Sequence, residues 1–156
     1  MSSKKTVLAV ISIVIVCIVV VVLEIMLTTD NRKYDTENIE SRVVDWYDNM
    51  RVMDFIDSTS LFGYDMTVEE ESALLTTYDA EITTDTIIIA VINSEEADLY
   101  YDLFEGFLDV RKLNTYDMDL LNYYDKAKLV KGNGYVYFLL GPDTDMYEKE
   151  LLSFYY

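Results

Sequence analysis

The chain has 156 residues, 29 of them acidic and 12 basic, with no histidine and a single cysteine, Cys17. A net charge of −17 repels nucleic acid, and the lack of histidine removes the commonest general base and the commonest metal ligand. One cysteine excludes an intrachain disulfide and a Cys/His zinc site, while 51% apolar content argues against disorder despite the acidity.

Residues 1–5 make a short tail carrying Lys4 and Lys5. Thr6 to Leu27 then reads TVLAVISIVIVCIVVVVLEIML, with one charge, Glu24, near its far end. About 20 helical residues cross a hydrocarbon core of about 30 Å. In lipid the backbone must satisfy itself, so the run is expected to be a transmembrane helix although Val and Ile dominate it. It exceeds the ~7–15 apolar residues of a cleaved signal peptide. Leu27-Thr28-Thr29-Asp30 also offers no small-x-small cleavage pattern, so the segment reads as an uncleaved signal anchor. Cys17 follows Val14-Ile15-Val16 in mid-span, which is not an acylation context. Lys4 and Lys5 on one side nearly balance Arg32 and Lys33 on the other. The short N-terminal side favours a cytoplasmic N-terminus and an outer C-terminal domain. The expectation is a single-pass cell-membrane protein whose residues 6–27 partner the bilayer.

Residues 28–36 read as a polar spacer and 37–156 as one acidic extracytoplasmic domain. With Lys4, Lys5 and Glu24 set aside, 10 basic and 28 acidic residues remain, a net charge of −18. Such a field suits a basic partner or divalent cations, and at the least keeps the domain soluble.

Glu37 to Ile56 predicts a helix, because Ile39, Val43, Trp46, Met50 and Met53 recur at three- and four-residue steps. Trp46 is expected to be a core anchor. Leu61-Phe62-Gly63-Tyr64 breaks the pattern, and Thr67 to Glu70 has the spacing of a capping box for a short turn. Ala73 to Ala80 predicts a strand, and Thr86 to Ile92 (TIIIAVI) a central strand buried on both faces. Asn93 to Glu96 starts a helix that should run to about Lys112, with Leu99, Leu103, Phe107 and Val110 as its inner stripe. Tyr100, Phe104 and Leu108 widen that stripe. Asp117 to Tyr124 predicts a shorter helix. Ala127 to Lys131, Gly132-Asn133-Gly134 and Tyr135 to Leu140 predict a β-hairpin. Asp143 or Thr144 caps a last helix with Tyr147, Leu151 and Phe154 on one face. The fold class expected is α+β: a transmembrane helix, then an α-β-β-α-β-β-α domain with an antiparallel sheet covered by helices.

These segments carry a resemblance. Leu61-Phe62-Gly63-Tyr64-Asp65, the strand Thr86–Ile92 running into Asn93–Lys112, Tyr116, and Gly132-Asn133-Gly134-Tyr135-Val136-Tyr137-Phe138 before Asp143 resemble an uncharacterised family from Gram-positive bacteria. Its members are membrane-anchored or lipoprotein extracytoplasmic domains of unknown function. The resemblance spans roughly Glu37 to Tyr156 and implies surface exposure but no activity. This chain departs from the lipoprotein members in lacking their acylation motif.

No catalytic constellation emerges. The only S-x-x-K spacing is Ser2 to Lys5, in the tail, and no phosphate-binding glycine motif is present. No cofactor is expected. Asp143, Asp145 and Glu148 are the best cation candidates, since hard oxygen ligands suit Ca²⁺. They lack the glycine and glutamate positions of an EF-hand, and acids at a helix start are ordinary dipole chemistry. Tyrosines come in pairs, Tyr100-Tyr101, Tyr123-Tyr124 and Tyr155-Tyr156. Adjacent helical residues point about 100° apart, so one of each pair should face outward and favour a protein partner. The leading expectation is a non-enzymatic, membrane-tethered interaction module for another envelope or membrane protein. The alternatives are a carboxylate-based hydrolase of wall glycan, which needs two acids roughly 5–10 Å apart in a cleft, and a divalent-cation-dependent surface module.

Overall fold

The computed structural model describes residues 2–28 and 32–156, in two units divided after Asn31. Residue 1 of the expected tail and residues 29–31 of the expected spacer lie outside the described residues. The first unit is α1, Ser2–Thr28. Ile13, Val14, Ile15 and Val16 are each between 51% and 63% exposed. At about 100° per residue those four cover every side of the helix. Among the described residues, no helix is long and apolar enough to cross a membrane.

The second unit is α+β, built on one antiparallel sheet. Its strands are β1 (Arg51–Val52), β2 (Ser72–Thr76), β3 (Ile88–Asn93), β4 (Lys128–Gly132) and β5 (Tyr135–Leu140), in the order β1-β2-β3-β5-β4. The helices are α2 (Thr36–Val43), α3 (Phe55–Phe62), α4 (Ala97–Leu113), α5 (Met118–Asp125) and α6 (Thr144–Leu151). All six residues of β3 are buried, as its unbroken apolar run requires of a middle strand. Ile88, Ala90 and Ile92 enter one hydrophobic cluster with residues of α3, α4 and α5. Ile89 and Val91 enter another with residues of α2 and α6. The sheet is therefore the middle of three layers, because side chains alternate along a strand. The hairpin β4–β5 turns at Asn133-Gly134, with Gly134 at φ 78°. That left-handed value is open to glycine at little cost.

Three expectations are corrected. The helix expected over Glu37–Ile56 is α2, a 3₁₀ turn at Val44–Trp46, the edge strand β1 and the start of α3. Met50 belongs to the α2/α6 cluster and Met53 to the α3–α5 cluster, so one straight stripe cannot hold both. The chain crosses the sheet edge through β1, and an Asp54–Asp57 capping box begins a new helix. The turn after Gly63 is capped by Asp65, not by Thr67, whose backbone N–H donates to the Asp65 carboxylate at 3.0 Å. The spacer expected to reach residue 36 is already domain at Tyr34, which is 2% exposed. Asn93 fixes it by accepting from the Tyr34 N–H at 3.1 Å and donating to the Tyr34 carbonyl at 2.7 Å. Lys33 and Tyr156 exchange backbone hydrogen bonds at 3.0 and 3.1 Å around a Tyr34–Tyr155 bridge.

Candidate functional site: a groove between α3 and α4

The capping box sets α3. Asp54 accepts from the Asp57 N–H at 2.8 Å, and Asp57 accepts from the Asp54 N–H at 3.1 Å. Asp57 is buried and bound by the forked guanidinium of Arg51. That hydrogen bond holds the Asp57 carboxyl below its ordinary range and raises Arg51 in turn. Gly63, at φ 69°, closes α3 as a left-handed cap. The helix therefore ends with Leu61 and Phe62 set against α4.

Between α3 and α4 lies an open apolar groove of about 410 Å³, formed by Leu61, Phe62, Leu103, Gly106, Phe107 and Val110. Its floor is close-packed. Phe62 meets Phe104 and Phe107 edge-on at 5.2 Å each, and Phe104 stacks on Phe138 at 5.0 Å. Arg111 lies over the Phe107 ring at 5.4 Å and borders one end. Gly106 is exposed in mid-helix, and a Cβ placed there would meet nothing within 4 Å.

Asp98, Asp102, Glu105 and Asp109 are all exposed on α4. Their 4-3-4 spacing places them within about 60° of one another around the helix, and Asp102 also lines the groove. Lys131 pairs with Asp98 at one end of this stripe. Asp102 is the member of this row that lines the groove, and the others continue along the neighbouring face of α4.

The residues singled out in the sequence fall elsewhere. Asp143 caps α6 by accepting from the Met146 N–H at 3.1 Å. Lys128 lies between Asp145, at 2.6 Å, and Glu148, at 2.5 Å. Its ammonium holds both carboxyls low, with Tyr137 donating to Glu148 at 2.7 Å as a further cause at that residue. An ammonium occupies the place a cation would take. Among the described residues, no group of three or more acids or cysteines is arranged to hold a metal.

Of the tyrosine pairs, Tyr123-Tyr124 departs from the expectation that one member of each faces outward. Tyr100 is buried and donates to Glu69 at 2.6 Å. Tyr101 is half-buried, with Lys131 over its ring at 4.9 Å. Tyr123 and Tyr124 are both buried, and Tyr123 donates to the Thr86 carbonyl. Burial raises the pKa of Tyr100, Tyr123 and Tyr124. Tyr155 is half-buried against Tyr34 and Tyr135, and Tyr156 is exposed. The most exposed tyrosine is unpaired in sequence: Tyr116, at 96%.

A second, polar cleft of about 530 Å³ is lined by Glu69, Glu70, Glu71, Glu95 and Lys33 among others. Glu71 is paired with Lys33 at 2.9 Å, and Glu69 accepts from Tyr100. The α3–α4 groove is hidden in the sequence, where Leu103, Phe107 and Val110 share one expected inner stripe. The inner stripe is Ala97, Tyr100, Phe104 and Phe107, while Leu99 and Val110 are exposed. Gly106 inside a well-formed helix is the signal that could have found it.

No protein-family model, curated protein or solved structure matches the chain. The resemblance to the Gram-positive family rests on the sequence segments that carry it.

Proposed function

We propose that the protein is a single-pass, membrane-tethered module whose acidic domain lies outside the cell and binds another envelope protein without catalysing a reaction. The observation that carries this reading is the exposure of Val and Ile on every side of α1. A helix apolar all round needs an apolar surrounding, and the sequence extends the run from Thr6 to Leu27, long enough for a bilayer. The resemblance to extracytoplasmic Gram-positive domains supports the outer placement. The apolar groove supports binding, since such patches mark interaction sites.

Asn133, exposed at the hairpin turn, is the position for the test. Asn133→Cys in a Cys17→Ser background is treated in intact cells with a membrane-impermeant maleimide, with lysed cells as the control. Labelling in intact cells is expected. Labelling only after lysis would overturn the outer placement, and recovery in the soluble fraction would overturn the tether.

A further inference from the structure

We infer that the α3–α4 groove is the docking site for a basic amphipathic helix, whose apolar face enters the groove while its Lys and Arg side chains meet the carboxylates of α4. This rests on the reading of the domain as an interaction module and names the partner's chemistry.

Three observations carry it. The floor is apolar and already packed from beneath by Phe104 and Phe138, so it accepts a ligand without rearranging. The acidic row from Asp98 to Asp109 runs about 16 Å at 1.5 Å per residue. That length matches several turns of a partner helix and exceeds a small molecule. Its charge complements lysine and arginine and repels a second copy of this acidic chain. The third observation is Gly106. Glycine inside a helix is about 1 kcal/mol worse than alanine, and no neighbour in the domain needs its missing side chain. A helix that must be approached closely from outside does.

The test uses the full chain in phosphatidylcholine nanodiscs, with empty nanodiscs subtracted. The probe is a fluorescent Leu/Lys amphipathic peptide of about 15 residues, near the shortest length that is helical alone. A peptide of the same composition, scrambled to destroy the apolar face, controls for simple charge attraction. Saturable one-to-one binding of the amphipathic peptide is expected, with the scrambled one at least tenfold weaker, the scale of a lost hot spot. Gly106→Leu fills the groove from a position with open space, and is expected to weaken binding about tenfold with no fall in melting temperature. Val110→Asp, at the exposed lip, supplies an independent variant with the same expected loss. Asp102→Asn with Asp109→Asn is expected to flatten the salt dependence. Equal binding of the two peptides, or undiminished binding by both groove variants, would overturn the docking site. Neither result depends on the maleimide outcome, which tests the membrane reading alone.

Discussion

The two faces of the sheet are finished in different ways. On the α2/α6 face, tyrosine hydroxyls close the edges. Tyr137 donates to Glu148, Tyr147 shares a hydrogen bond with Tyr47 at 3.3 Å, and Trp46 stacks on Tyr147 at 6.0 Å. Lys128 ties two carboxylates of α6 to the sheet. On the α3–α5 face the centre is phenylalanine. Phe62, Phe104, Phe107 and Phe138 meet only through ring contacts, and the layer above them stays open between α3 and α4. Hydrogen bonds close the edges of one face, whereas on the other they lie at Tyr100 and Tyr123, away from the phenylalanine centre, and apolar surface stays open between α3 and α4.

Neighbouring residues on β5 can break this comparison, because Tyr137 and Phe138 serve opposite clusters. Phe138→Ala should cost about 3–5 kcal/mol, the usual loss for a buried ring, seen as a lower urea midpoint. A loss below about 1 kcal/mol would mean that the phenylalanine centre collapses around the gap and is not the close-packed floor described. On the other face, Glu148→Gln should cost about 1 kcal/mol at neutral pH, from a partly buried charge-assisted pair. Hydrogen bonds from Lys128 and Tyr137 hold the folded-state pKa of Glu148 below its ordinary value. Its contribution is therefore present above the unfolded pKa of about 4.3 and is lost as pH falls through the lower folded value. Melting temperatures of the two proteins should differ near neutral pH and converge in acid. A gap that persists at low pH would place the effect in packing instead of charge. The smallest effect has the opposite sign. Gly106→Ala should stabilise by about 0.5–1 kcal/mol, because α4 gains helix propensity and the new methyl meets open space. Destabilisation would show that the groove is narrower than it stands here.

Some elements are legible before any tertiary contact. β3 announces itself as a run of apolar residues bounded by polar ones, and an unbroken run has no solvent side to leave. The β4–β5 hairpin is legible because Asn133-Gly134 takes a turn conformation other residues resist. Asp117 and Asp143 stand where helices are expected to start, and each accepts hydrogen bonds from the first turn of its helix. The phase of α4 is not legible. Apolar residues at 99, 100, 103, 104, 107, 108 and 110 cover too much of its circumference for periodicity to choose an inner side. The Tyr123-Tyr124 pair misleads because the rule that adjacent residues diverge assumes one buried side, whereas these two rings also pack on each other at 5.5 Å.

The sequence by itself determined the long apolar segment, the acidic character of the domain beyond it, the central strand, the hairpin and the helix starts. Each is written in neighbouring residues, through hydrophobic runs, turn chemistry or a capping side chain. Only the tertiary structure decided that residues 37–56 break into separate elements, that Lys128 fills the place between Asp145 and Glu148, and that a groove opens beside Gly106. Those outcomes depend on where each residue finds partners distant in the chain: Met50 and Met53 go to opposite sides of one sheet, and Leu61 and Val110 come together on the same side. That choice is driven by burial of apolar surface across the whole domain, a quantity that no local window of sequence contains.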